Sequence, residues 1–369
     1  MSYLVYIATA IIYAIRITIF TIGLRIERKR TVRTFHYTVY PSVSIVVPAR
    51  NEESTLRECI ESLIQCDYPK DNLEIIIVND RSTDKTAEMA HSLASTYSHV
   101  KVLHLTEERS GNLRGKPGAI HHAINVAKGD IILMTDADCI VPVGWMQMMV
   151  QQFKDISIGL VASFTTIKTG SVFAQMQCVE WVLNHTMASA GIGLKQPLGC
   201  FGNNLAIRKK AYNDIGGYEG IPFSVTEDLA LLQTIIRRGW EVRYIGDAQS
   251  TVETLPCTTF GEYVQQHHRW LRGGTALGWR AAVFVFFSAS MWISFLAAII
   301  SQNWLMLPLI LGIRLIGDLM VLTPSLYAIK RKDLFPWALL AVFFITALEL
   351  VIPFSLLKKE VVWKGQLFR

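Results

Sequence analysis

The chain has 369 residues, 51% of them hydrophobic, with a positive mean hydropathy and a net charge of +6 at pH 7. That hydrophobic share is high for a wholly soluble protein and points to membrane segments. The modest basic excess clusters beside apolar stretches, which suits anionic lipid head groups and argues against a nucleic-acid binder. The six cysteines include no C-x-x-C pair, so neither a zinc site nor a disulfide framework is indicated.

In chain order, residues 3–24 form the first apolar window long enough for the roughly 20 residues that a bilayer core requires. A cleaved signal peptide carries its positive charge before the apolar run. Here Arg25, Arg28, Lys29, Arg30 and Arg33 follow it, so residues 1–24 are expected to be an uncleaved anchor. Residues 25–40 then read as a basic linker, cytosolic because Lys and Arg near membrane ends favour that side.

Residues 41–255 alternate between strand and helix patterns. "VSIVVP" (43–48) reads as a strand. Leu56, Ile60, Leu63 and Ile64 then give the stripe of an amphipathic helix, with Thr55 and Glu58 spaced for a capping box. "LEIIIVND" (73–80) is the next strand, followed by a helix over about 84–95, a strand at 100–105 and a helix over 117–127. "DIILMTD" is the fourth strand. Such alternation implies an α/β domain with a mainly parallel sheet buried on both faces.

Ligands of open parallel sheets bind beyond the carboxyl ends of the strands. Asp80 ends the second strand, and Asp136 with Asp138 ends the fourth, so the three carboxylates are expected at one edge. Their mutual repulsion must be offset by a cation or by ligand donors. As single residues they could equally serve as turn formers or helix caps.

Residues 256–280 contain "QQHHRWLRGG". Gln266 and Arg269 share a helix face there, and Arg272, Trp279 and Arg280 suit an interfacial helix. Three further apolar windows follow at 281–301, 303–327 and 335–357, interrupted by Arg314 with Asp318 and by Glu349 with Pro353. Lys330, Arg331 and Lys332 agree with the cytosolic side assigned above, whereas the basic tail, 358–369, lies outside if all three windows span. Either the tail is external or one late segment is re-entrant, the last being the candidate. Arg314 and Asp318, one helical turn apart, can neutralise each other.

Five motifs in order, "PARNEE", "VNDRSTD", "TDADC", "TEDLALL" and "QHHRW", resemble the landmarks of membrane-bound family-2 inverting glycosyltransferases with the GT-A fold. The resemblance covers roughly residues 41–272 and implies a Rossmann-like GT-A catalytic domain with transmembrane helices. Asp80 resembles the carboxylate that accepts the uracil ring N–H, with Glu52 near the same nucleotide pocket. The family places glycine after that acid, whereas this chain has Arg81. Lys116 resembles a lysine that reaches the nucleotide diphosphate. Asp136 and Asp138 resemble the D-x-D pair, Asp138 being the direct ligand of a divalent cation, Mg2+ or Mn2+.

Asp228, beside Thr226 and Glu227, resembles the general base that direct displacement at a sugar carbon needs on the acceptor side. Glu227 and Asp228 also suit a helix N-terminus. Gly202, Asn203 and Asn204 resemble the acceptor side of the sugar pocket, with Arg208 and Gly216–Gly217 fitting the same pattern. Gln266, Arg269 and Trp270 resemble the Q-x-x-R-W element, Arg269 toward the diphosphate and Trp270 toward sugar or acceptor. His267 and His268 read as polar filler.

The resemblance thus implies a hexose, glucose by preference, moved from a UDP-sugar to a lipophilic acceptor such as a diacylglycerol, a ceramide-like lipid or a carotenoid alcohol. The setting it implies is a bacterial inner membrane with the catalytic domain in the cytoplasm. A processive β-glycan synthase is the alternative reading. A non-catalytic membrane scaffold would have no use for these acids, and nucleotidyl transfer would call for a glycine-rich phosphate loop that "PARNEE" lacks.

Overall fold

The computed structural model describes residues 2–31, 40–358, 360–363 and 366–368. Arg33 of the basic linker, and Lys359, Lys364 and Arg369 of the tail, lie outside the described residues. The chain divides into two compact units, a sheet unit (Glu27–Lys168 and Gly199–Leu255) and a helical unit (Met1–Ile26, Thr169–Leu198 and Pro256–Arg369). The stretch expected as one domain, 41–255, is therefore interrupted by a segment that belongs to the helical unit.

In the sheet unit the strands are β1 (Val43–Ala49), β2 (Leu73–Asp80), β3 (Val100–Leu105), β4 (Ile131–Met134), β5 (Ile158–Ser163), β6 (Thr165–Ile167), β7 (Leu205–Arg208), β8 (Glu241–Ile245) and β9 (Val252–Thr254). Seven of them form one sheet in the order β3-β2-β1-β4-β7-β5-β8, and β6 pairs with β9 separately. Only β7 runs antiparallel in the large sheet, between β4 and β5. The mainly parallel α/β fold expected from the sequence is what forms.

The β-branched runs explain the centre. Ile45, Ile75, Ile77 and Leu133 are fully buried among Leu56, Ile60, Leu63 and Trp145, because helices cover both faces of a parallel sheet. Each such side chain stabilises the fold by about 1.5–3 kcal/mol. Gly129 fits for a steric reason: a Cβ there would meet the Ser44 nitrogen at 2.4 Å. Its N–H instead donates to Ser44 Oγ at 2.7 Å, which seats the entry to β4.

The register sets the functional edge. Val46 aligns with Met134, and Ala49 with Asn79, so the carboxyl ends of β1, β2 and β4 lie side by side. Leu205 aligns with Met134 across the reversed pair, which brings the residues before β7 to the same edge.

Among the described residues, four helices are long and apolar enough to cross a membrane: Tyr3–Arg30, Trp279–Ile300, Met306–Ala328 and Lys332–Leu357. On the first, Ile7, Ile11, Ile15, Ile19, Ile22 and Ile26 recur about once per turn and are exposed, while Tyr13, Ile17, Phe20 and Leu24 are buried. A stripe of bare isoleucine suits lipid rather than water. Gly317 lets that helix approach Met306–Ala328, since a Cβ would sit 2.5 Å from the Tyr13 ring.

A polar node lies among these helices. Arg314 donates two hydrogen bonds to Glu349, at 2.8 and 2.7 Å, and its Nε lies 3.5 Å from Asp318 Oδ2. Tyr13 donates to Asp318 at 2.7 Å and Trp292 to Glu349 at 3.3 Å. The pair expected between Arg314 and Asp318 is thus secondary to one with Glu349, which meets the guanidinium in bidentate geometry.

Helix Val172–Gly193, which sequence periodicity did not single out, is buried along nearly its whole length. It carries Glu180 against the helix Phe260–Gly274 described below.

Candidate functional site

The first two motif loops brace each other. Asn51 Oδ1 accepts from the Thr83 N–H at 2.8 Å, Glu53 accepts from the Lys85 N–H at 2.8 Å, and Asp84 accepts from the Glu53 N–H at 3.1 Å. The Glu52 N–H donates to Thr86 Oγ1 at 2.7 Å, and its carboxylate accepts from Thr55 Oγ1 at 2.9 Å. Thr55 therefore makes no side-chain cap on helix Leu56–Ile64, and the expected capping box with Glu58 is absent. Glu52 has already taken its hydroxyl.

Asp80, at the end of β2, is buried and paired with the next residue. Arg81 Nε donates to Asp80 Oδ1 at 2.8 Å, and its Nη2 to Oδ2 at 3.3 Å. Arg81 adopts φ +54°, a left-handed conformation that glycine takes freely. The substitution the sequence shows at this turn is thus accommodated by keeping the glycine backbone.

The end of β4 supplies the next pair. Lys116, first residue of helix Lys116–Val126, places Nζ 2.5 Å from Asp136 Oδ1 and 3.7 Å from Glu227 Oε1. A lysine at a helix N-terminus opposes the helix dipole, and the two carboxylates offset that cost. One cation therefore joins the end of β4 to the start of helix Glu227–Arg237.

Asp228 follows directly. Its Oδ2 accepts from the Gly202 N–H at 2.9 Å and its Oδ1 from the Leu229 N–H at 2.8 Å, so two backbone donors fix the carboxylate plane. Gly202 carries no steric burden from the chain itself, since an added Cβ would meet Asp228 only at 3.6 Å.

Asn203 is buried and accepts from Thr165 Oγ1 at 3.0 Å. Asn204 departs from the sequence expectation. It is fully buried, accepts from Trp145 Nε1 at 2.9 Å, and donates to the Phe164 and Ser250 carbonyls at 2.6 and 2.8 Å. Its amide is used up joining three segments of the core, which removes it from the sugar pocket.

Asp138 lies in the turn after β4, where the Cys139 N–H donates to the Asp136 carbonyl at 3.1 Å. It lines a cleft with Thr55, Glu58, Lys168 and Glu253. Among the described residues no group of three or more His, Cys, Asp or Glu side chains is placed to hold a metal ion. Asp136 and Asp138 are hard oxygen donors of the kind Mg2+ and Mn2+ take, but as an incomplete set that needs substrate oxygens to fill it. They fit a cation shared with a diphosphate.

Three buried groups nearby hold their protons at neutral pH. Burial, then Asp138 and Asp136, pushes the Cys139 thiol well above its usual range. Burial, then Asp228 and Glu227, does the same to Cys200, and burial with Glu227 raises Tyr218. No thiolate is on hand as a nucleophile. The edge offers carboxylates together with the cations of Lys116, Arg81 and Lys168.

The Q-x-x-R-W helix, Phe260–Gly274 in the helical unit, opens on a capping box between Thr259 and Glu262 that the sequence reading overlooked. Trp270 packs edge-on to Trp181 at 5.4 Å and against His267 at 4.9 Å. Gln266 Oε1 is buried without a hydrogen-bond partner.

His267 is more than filler. Its Nδ1 donates to the Tyr263 carbonyl at 2.8 Å and its Nε2 to Glu180 Oε1 at 3.1 Å. Both ring nitrogens face acceptors, so the ring is held as imidazolium. Burial alone would lower its pKa, but the Glu180 charge and hydrogen bond raise it. Burial likewise works against Glu180, yet His267, Tyr263 and Asn184 together hold its carboxyl below the usual range. His268 meets Ser355 Oγ and the Glu360 carbonyl, each at 3.2 Å.

Known proteins resemble this chain in sequence and in fold. A family model described as glycosyl transferase family 21 matches residues 4–369. A β-monoglucosyldiacylglycerol synthase from Nostoc sp. is 29% identical over 241 residues, 63% of this chain and 49% of that protein. A poly-β-1,6-N-acetyl-D-glucosamine synthase from Staphylococcus aureus is 27% identical over 239 residues, 63% of this chain and 54% of that protein. The chain spans about half the length of these curated relatives. A mannosyltransferase from Pyrobaculum calidifontis, solved in complex with GDP-Man and Mn2+, superposes with TM-score 0.57 at 18% identity, covering 92% of this chain and 98% of that one. That likeness establishes the GT-A glycosyltransferase fold.

Proposed function

Because the chain belongs to glycosyl transferase family 21, we propose that it moves a hexose, glucose by preference, from a UDP-sugar to a hydroxyl of a lipophilic acceptor, with inversion. The observation that carries this reading is the single cation of Lys116 between Asp136 and Glu227, one residue from the backbone-fixed carboxylate of Asp228.

Asp228 takes the proton of the acceptor hydroxyl as its oxygen attacks the anomeric carbon. The new C–O bond forms on the face opposite the diphosphate, the old sugar–phosphate bond breaks, and the electron pair leaves with UDP. Lys116, at the positive end of a helix, offsets the charge that grows on that leaving group. A divalent cation held by Asp136 and Asp138 would add Lewis-acid stabilisation there. Asp80 accepts the ring N–H of the base.

Membrane attachment is part of the proposal. Four apolar helices and a stripe of exposed isoleucine favour a bilayer, and the basic residues at 25–30 and 330–332 favour the cytoplasmic face of a cell membrane for the sheet unit. Arg272 donates to the Leu356 and Lys358 carbonyls at 3.3 and 2.7 Å. That tie supports a last segment that folds back rather than delivering the tail to the far side.

The test is UDP release from UDP-glucose by the purified full chain in lipid nanodiscs containing diacylglycerol. Release that needs a divalent cation and disappears on chelation supports the reading. Cation-independent release, or none with any UDP-hexose, contradicts it.

A further inference from the structure

We infer that Arg81 sets base specificity: with Asp80 it forms one composite hydrogen-bonding edge that accepts uracil and disfavours guanine. The inference rests on the proposed placement of the nucleotide base at Asp80.

Three observations converge on Arg81. Its guanidinium meets both oxygens of Asp80. Its backbone stands at φ +54°, a conformation in which a side chain is strained and glycine is not. Strain of that kind persists where the surroundings hold it, and it marks functional positions more often than scaffold. Its third nitrogen, Nη1, lies 3.3 Å from Glu108 Oε2, and Glu108 in turn lies 3.7 Å from Arg114 Nε. The guanidinium plane is therefore fixed from two sides, and its side chain remains partly exposed.

The chemistry of the two bases decides what such an edge reads. Uracil presents an N–H donor flanked by two carbonyl acceptors. An Asp80 oxygen can take the N–H through its remaining lone pair while a spare Arg81 N–H donates to a carbonyl. Guanine presents two adjacent donors, which match a carboxylate that offers both oxygens at once. Arg81 already occupies the parallel inner lone pair of each oxygen, and the outer lone pairs diverge, so they can take one donor but not two adjacent ones. Guanine must break one of those charge-assisted bonds to bind in that way, and uracil need not.

The experiment measures dissociation constants of UDP and GDP by calorimetry on the detergent-purified full chain with Mn2+ present. The wild-type chain is expected to prefer UDP. Arg81→Gly keeps the turn and relieves its strain, so it is expected to fold, and to narrow the UDP-to-GDP ratio by roughly tenfold, the worth of one charged hydrogen bond. Glu108→Gln loosens the neighbouring segment while leaving the Asp80 pair, and the ratio is expected to hold. A ratio that Arg81→Gly leaves unmoved, a wild-type preference for GDP, or an equal change in Glu108→Gln would each overturn the inference. If the wild type binds neither nucleotide, the transferase reading itself fails and takes this inference with it.

Discussion

Lys116 Nζ stands 2.5 Å from Asp136 Oδ1, joining the first turn of one helix to the end of the central strand β4. With Glu227 Oε1 at 3.7 Å, this lysine is the cation that lets two acids share an edge. Lys116→Met should therefore weaken UDP binding and cut transfer by roughly 100-fold, the usual cost of removing a donor aimed at developing charge. Lys116→Arg should recover part of it. Steady-state kinetics with UDP-glucose check this, and an unimpaired Lys116→Met enzyme would show the lysine to be a structural tie.

For Asp228 the expected split is between chemistry and binding. Asp228→Asn retains an acceptor for one of the Gly202 and Leu229 N–H groups but cannot take a proton. Turnover should drop by about 10²–10⁴-fold, with the UDP dissociation constant within a few-fold of wild type. Loss of nucleotide binding in this variant would remove the base assignment.

The buried pair of His267 and Glu180 makes stability depend on pH. His267 is raised from an unfolded value of 6.5, so its contribution is complete below that pH and is lost as pH rises through the higher folded value. Glu180 is lowered from 4.5, so its contribution is complete above 4.5 and is lost only as pH falls through the lower folded value. Melting temperature should therefore be greatest in mildly acidic buffer and decline on the alkaline side. His267→Gln should flatten that alkaline decline, and an unchanged slope would place its origin elsewhere.

In the membrane-helix node, Glu349 is the principal partner of Arg314. Glu349→Ala strands a buried guanidinium beside Asp318 alone and should cost about 3–5 kcal/mol. The double variant Arg314→Met with Glu349→Leu should cost less than the sum of its parts, because both members of the bidentate pair go together and Asp318, which loses its cation, keeps the Tyr13 hydrogen bond. Thermal unfolding in detergent measures both. A Glu349→Ala protein that melts like wild type would mean water reaches the node.

Local signals carried much of this organisation. The β-branched runs ending in acids located β2 and β4, and residues 73–80 form a strand as read. The four apolar windows fall on four apolar helices, although the first helix runs past its window, through residues read as linker, to Arg30. What escaped was decided by distant partners. Asn204 looked like a ligand-facing amide because Trp145, Phe164 and Ser250 come from elsewhere in the chain. Thr55 lost its cap to Glu52, three residues before it, while Thr259 and Glu262 with the same spacing formed one. The reversal of β7 has no period of its own, since a short buried strand reads alike in either direction. His267 needed Glu180, 87 positions away, to become a cation.

The most direct measurement incubates radiolabelled UDP-glucose with the purified chain in diacylglycerol-containing nanodiscs and separates the organic extract from water-soluble and insoluble material. The account predicts label in the organic phase, on a single-hexose lipid whose linkage is β, abolished in Asp228→Asn. Label confined to a high-mass carbohydrate fraction, or absent from every fraction, would contradict it.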